Sequence, residues 1–285
     1  MEHDTFLVTP MTQKISLEAG EVYHGSIKVV NPANAISEFS FMASVSPYAV
    51  VGEDYTASLS AKSNRTMIAD WVELENSKGT LAPNEDQDIN FTITVPETAP
   101  AGAQYAAIVV SQDKEFVEKT GMNMENIVEI ASIVYADVAG ETVREGSILE
   151  NTVPGFTTTV PITVSAKFDN HGNVHEEAVI KISARNNLTG EVYLPVDNND
   201  GSYTELILPD TTRAVSREVS GLPLLGVVHV EQTLYYNGQV SVSAQDVVIC
   251  PIWFMVVVGV AVMAVGALIA RLIYKHRQIK SEYAM

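Results

Sequence analysis

One cysteine, Cys250, stands among 285 residues, which excludes an intramolecular disulfide and a Cys-based zinc site. Cations are also scarce. The chain has 17 Lys and Arg against 35 Asp and Glu, giving a net charge of −18 and a pI near 4.6. This balance excludes a nucleic-acid partner, because phosphate neutralisation needs clustered Lys and Arg. Six scattered histidines leave little material for a metal centre. No GxSxG elbow, HExxH pair or phosphate loop occurs, and no carboxylate pair has a distinctive spacing. The expectation is therefore a protein that is no enzyme, with no catalytic residue, metal ligand or cofactor, and with its ligand-binding residues unassigned. What remains is an apolar fraction of 46%, enough for folded cores and too high for a disordered acidic chain.

Charge is absent altogether from Val247 to Ala270. Twenty-four residues make about 36 Å of helix, enough to cross a ~30 Å hydrocarbon core with some tilt. Trp253 and Tyr274 flank the run, where amphipathic rings favour the interface. Arg271, Lys275, Arg277 and Lys280 follow it, whereas the nearest cation before it is Arg217. The positive-inside bias predicts one span over 247–273, a short basic cytoplasmic tail over 274–285 and an extracellular N-terminal portion. That portion carries −21 once the four cations after the uncharged run and one acid, Glu282, are set aside from −18. Such an orientation requires a translocation signal, and MEHDTFLVTP has neither a basic nor an apolar leader region, so a removed signal peptide or a misplaced start site is expected. The rival is a tail-anchored protein with its body in the cytoplasm.

Before the span the chain alternates. Ile27 and Val29 recur at period two, as do Phe39, Phe41, Ala43 and Val45, then Ile89, Phe91, Ile93 and Val95, then Tyr105, Ala107 and Val109. Val160, Ile162, Val164 and Phe168 follow, then Ala178, Ile180 and Ile182, Val228 and Val230, and Leu234 and Tyr236. Short alternating runs divided by Gly, Pro and Asn predict antiparallel sandwiches. Alternation lapses at Gly140 to Gly146. The fold expected is all-β: two tandem Ig-like β-sandwich domains over 4–140 and 141–246, followed by one transmembrane α-helix. Residues 113–126 suit a helical turn or a loop. The turns repeat: LEAGE at Leu17, LAPNE at Leu81 and LPDTT at Leu208 each lead into a strand, and VVNPAN at Val29 matches FDNHGN at Phe168.

Several motifs invite a function. His171 and His175, with Asp169, Glu176 and Glu177, offer metal donors, but HxxxH aligns two imidazoles only on a helix, and Asn170, Gly172 and Asn173 favour a turn. DNNDG at Asp197 has Gly fifth rather than sixth and lacks the twelfth-position Glu of a calcium loop, which leaves a hairpin tip. LPDTT differs from a sortase signal at Thr212 and lies far from the span. Sequons at Asn64, Asn90 and Asn187 are no more frequent than chance allows. Cys250 reads as a small apolar filler, and Gly266 with Ala270 as an ordinary small-residue pair.

In the order LEAGE, VVNP, LAPNE, TVPETAPAGAQYAAIVV and FDNHGNVH, the chain resembles the WxL-interacting proteins of bacterial cell surfaces. The resemblance is strongest over residues 5–140 and extends in organisation to 141–246 and the span. It implies peptidoglycan binding by the first domain and host-protein binding by the second, beside WxL proteins at the cell wall. The function expected is non-catalytic, membrane-anchored binding to cell-wall peptidoglycan or surface proteins, with no oligomeric state assigned. The alternative is a chaperone-like assembly factor that works by strand addition, and a third reading is a glycan-cleaving enzyme using surface carboxylates.

Overall fold

The computed structural model describes residues 6–113, 128–187, 189–193 and 200–282, with side chains described as far as Ile273. The expectations for 113–126, for the DNNDG tip and for the flanking Tyr274 and tail cations fall largely outside these residues. The chain folds into Ig-like β-sandwiches followed by one C-terminal helix. Contacts divide it into two units, the first comprising Met1–Ser147, Phe168–Glu177 and Leu206–Ala214, the second Ile148–Lys167, Ala178–Glu205 and Val215–Met285.

The first unit begins with β1 (Leu7–Thr9), β2 (Thr12–Leu17), β3 (Val22–Val30), β4 (Phe39–Pro47), β5 (Ala49–Val51) and β6 (Thr56–Ser58). A 3₁₀ turn over Met67–Asp70 precedes β7 (Val72–Leu74), β8 (Lys78–Leu81), β9 (Asp86–Thr94), β10 (Gly102–Gln112) and β11 (Glu129–Val138). One sheet runs β1-β3-β9-β7 and the facing one β2-β11-β10-β4-β8. Pro10, which lacks an N–H, interrupts the first strand. β1 lies antiparallel to β3, and β2 continues in the other sheet, parallel to β11. Ile27, Val29, Ile89, Phe91 and Ile93 of one sheet share a core with Phe41, Ile108, Val110 and Val134 of the other. Each such side chain contributes about 1.5–3 kcal/mol by leaving water.

The remaining strands are β12 (Gly146–Thr152), β13 (Phe156–Thr157), β14 (Ile162–Asn170), β15 (Glu176–Asn186), β16 (Val192–Tyr193), β17 (Ser202–Ile207), β18 (Thr211–Val219), β19 (Gly226–Tyr236) and β20 (Gln239–Ile249). They form the sheets β12-β14-β18 and β13-β20-β19-β15-β16, with β17 also on β15. Ile162, Val164, Ile180, Ile182, Val228, Val230 and Leu234 are buried, as their alternation predicts. Gln232 interrupts that apolar row. It is buried and donates to Asn151 Oδ1 at 2.9 Å and to the Ser165 carbonyl at 2.8 Å.

Val247–Ile249, the start of the uncharged run, complete β20, and α1 (Ile252–Glu282) begins after Pro251, a residue suited to a helix start. Its segment Ile252–Ile273 has a mean hydropathy of 2.7, is long and apolar enough to cross a membrane, and has no residue buried against protein.

Candidate binding site

β10 is buried on both faces from Gly102 to Val110. Ala106, Ile108 and Val110 enter the sandwich core, so the face carrying Tyr105 points the other way. Ala103, Tyr105 and Leu208 form a second cluster against Tyr48, Val50, Tyr55, Tyr135 and Leu206. When both faces of a strand are covered, apolar alternation no longer marks which one meets the core.

A cleft of about 230 Å³ opens over this cluster. Its walls are Tyr48, Val50, Tyr105, Leu208 and Pro209, and its polar groups are Lys62, Arg65, Asp210 and the hydroxyls of Ser63, Thr66 and Thr211. Hydrogen bonds place most of them. The Tyr105 amide donates to the Arg65 carbonyl at 2.7 Å, and the Ser63 amide is taken by Thr66 Oγ1 at 2.9 Å. The Tyr55 hydroxyl accepts the Leu208 amide at 2.9 Å and bonds the Thr211 hydroxyl, while the Arg213 guanidinium lies 4.5 Å from the Tyr55 ring centre. Tyr105 and Tyr135 meet edge to face at 5.3 Å.

Two features make this surface receptive. The Tyr105 hydroxyl is buried and has no hydrogen-bond partner among the described residues. A buried hydroxyl left so costs about 1–3 kcal/mol, which a ligand acceptor or donor would recover. Arg65, largely buried, reaches Asp210 at 2.9 Å through Nε and the Ala101 carbonyl at 3.5 Å through Nη1. Neither bond uses its Nη2, which leaves that end of the guanidinium as a donor toward an anionic or carbonyl group. Burial pushes the Tyr105 and Tyr135 phenols well above their ordinary range, and raises Tyr55 despite its bond to Thr211. All three stay neutral around pH 7 and act as hydrogen-bonding groups, not as charges.

The residues singled out in sequence lie elsewhere or play other parts. His171 and His175 sit in the turn between β14 and β15. His171 Nε2 lies 3.0 Å from Asp169, His175 packs its ring edge-on against Tyr135, and Glu176 pairs with Arg144. No three His, Cys, Asp or Glu side chains among the described residues group as metal ligands. Asn64 gives its carbonyl to Gln104 at 2.8 Å, Asn90 lies within β9, and Asn187 reaches Asp246 at 3.3 Å. LPDTT is a turn whose Leu208, Pro209, Asp210 and Thr211 line the cleft, a role its spacing does not betray. Tyr48, Arg65 and Tyr105 are far apart in the chain and share no local motif, although the uninterrupted burial-prone run QYAAIVV marks β10 as a strand covered twice.

No family model matches the chain, and no curated protein does. Solved structures do resemble it. The class 5 fimbriae chaperone CfaA is 12% identical with a TM-score of 0.42, over 85% of this chain and 99% of that one. A chaperone-tip adhesin complex of CFA/I fimbriae gives 11% and 0.41, over 85% and 98%. The CsuC–CsuE complex from Acinetobacter baumannii gives 10% and 0.40, over 85% and 99%. Likeness of this order says nothing of ligand or partner.

Proposed function

We propose that the chain is a non-catalytic, single-pass surface protein that binds cell-wall peptidoglycan through the tyrosine-lined cleft of its first unit. The observation that carries this reading is the Tyr105 hydroxyl, unpartnered among the described residues, at a cleft that Arg65 also lines. Tyrosine faces suit the apolar side of a sugar ring, hydroxyls and amides suit its polar edge, and Arg65 or Lys62 suits a carboxylate on a lactyl or peptide substituent. The resemblance to WxL-interacting proteins points the same way. Orientation with the cleft outside and the C-terminus in the cytoplasm follows from the cations after Ile269.

The test is co-sedimentation of the detergent-solubilised full chain with isolated peptidoglycan. The wild type pellets, Arg65→Ala and Tyr105→Phe pellet at least several-fold less, and no soluble fragments appear. A chain of net charge −18 gains nothing from anionic wall polymers, so binding by directed hydrogen bonds persists at about 0.5 M salt. Attachment that collapses at that salt, or variants that pellet like the wild type, would sink the reading. Release of fragments would favour the enzyme.

A second reading, strand addition to a client, has one observation in its favour. β2 pairs with β11 only from Ile133 onward, so among the described residues Glu129–Ala131 have a strand neighbour on the β10 side alone. Such an edge can accept a further strand. This reading expects a stoichiometric protein complex, and no dependence on Arg65.

A further inference from the structure

In the second half of this acidic chain, 151–166, 219–230 and 247–270 carry no Asp, Glu, Lys or Arg. The strand registers bring them to one end of one sheet in the second unit. Gly226, the first residue of β19, stands opposite Ile249, the last of β20. On the other side of β20, Phe156 and Thr157 of β13 align with Val248 and Ile249, and the Cys250 amide donates to the Thr157 carbonyl at 3.0 Å. Because β19 and β20 are antiparallel, residues preceding Gly226 continue in the direction in which Cys250 and Pro251 leave β20.

At this end several apolar side chains face outward. Leu222 is 7% exposed and anchors the loop between β18 and β19, whereas Leu224 is 67% exposed, Leu225 42% and Phe156 52%. Two residues, Cys250 and Pro251, separate Ile249 from Ile252, a reach of at most about 10 Å. The polar interface on each side of the hydrocarbon is about 5–7 Å deep. A loop that continues alongside Cys250 and Pro251 therefore arrives at the depth where leucine and phenylalanine leave water.

We infer that Leu224, Leu225 and Phe156 form a membrane-contact rim that seats the second unit on the lipid surface from which its own helix emerges. The occupant is the lipid interface, not a protein, since the rim adjoins the residue at which the chain itself enters the bilayer and excludes charge of either sign. The inference rests on reading Ile252–Ile273 as a span.

The experiment uses the full chain in phosphatidylcholine vesicles with and without brominated acyl chains, which quench tryptophan at the membrane. Trp71 and Trp253 are the native tryptophans, Trp71 being buried in the first sandwich. In the wild type, bromolipid quenches the Trp253 share of the emission. In a Trp253→Phe background, Leu225→Trp and Leu224→Trp each restore a quenched signal. Val240→Trp, at an exposed position about 30 Å along β20 from Ile249, does not. If the wild type is quenched but neither loop tryptophan is, the rim is overturned while the span stands. Blue-shifted but unquenched loop tryptophans mean a protein covers the rim, which also overturns it. If wild-type Trp253 is itself unquenched, the span reading fails and the rim with it.

Discussion

Tyr105 is held on the face of β10 turned away from the sandwich core by packing, with its hydroxyl unpartnered among the described residues. Tyr105→Phe should therefore stabilise the free protein by about 1 kcal/mol in urea unfolding, since it deletes a buried group that makes no bond, while weakening peptidoglycan binding. A purely structural tyrosine would move both in one direction. The raised phenol adds a pH signature. A group with a higher pKa folded than unfolded contributes stability present below its unfolded pKa of ~10, and lost as pH rises through the folded value. Tyr105→Phe should flatten the alkaline fall in urea midpoint above pH ~10. Asp169 shows the opposite sign. Burial pushes its carboxyl up, but the Ser147 amide at 2.6 Å, the Ser147 hydroxyl at 2.7 Å and His171 hold it below its ordinary value. Its contribution is present above the unfolded pKa of 3.8 and disappears as pH falls through the depressed folded value. Ser147→Ala should cost about 1–2 kcal/mol at pH 7 and almost nothing near pH 2; an equal cost at both would show that the carboxylate is not what Ser147 serves. The Tyr105 cleft was not legible as a site, because it assembles residues 48–66, 105 and 208–211, and no local pattern announces that convergence.

The turns were legible because their chemistry is local. In LEAGE the Glu18 amide donates to the Glu21 carboxylate at 2.7 Å, with Gly20 left-handed between them; in LAPNE the Ala82 amide donates to Glu85 at 2.8 Å, with Asn84 left-handed. Both are one device, an acid three residues on capping the first amide of a turn. The match of VVNPAN with FDNHGN proves equally physical. Asn31 and Asn170 are both buried, and each donates to a carbonyl of its own turn, Ser37 or Val174, and to a distant one, Leu81 or Ile207. Asn31→Ala strands two carbonyls and should cost about 2–4 kcal/mol by chemical denaturation, whereas Asn31→Asp, which keeps the shape and loses the donors, should cost as much or more. Recovery of stability in Asn31→Asp would refute the donor role. Gly102 was not legible. Its φ of +102° and the Asn173 carbonyl, which a Cβ there would strike, need the folded neighbours to be seen, and Gly102→Ala should be more damaging than an ordinary strand substitution.

Over the whole molecule, alternation revealed the sandwiches and the uncharged run revealed the helix. The alternation points to the wrong face at β10, where the strand is covered twice, and it overreaches at Val160, which precedes β14. The membrane rim and the helix differ in strength, and this gives a test of the architecture. Two leucines and a phenylalanine, each already partly covered, gain about 2–4 kcal/mol on entering the interface, which corresponds to a dissociation constant of roughly 1 mM or weaker. That orients a tethered domain and cannot retain a free one. The 22 residues of Ile252–Ile273 should hold irreversibly. The full chain should consequently resist extraction from vesicles at pH 11, while a chain ending at Cys250 should remain in the soluble fraction with its rim intact. Retention of the shortened chain by vesicles would mean that the sheet end binds lipid far more tightly than its exposed area permits. Extraction of the full chain would mean that α1 does not span.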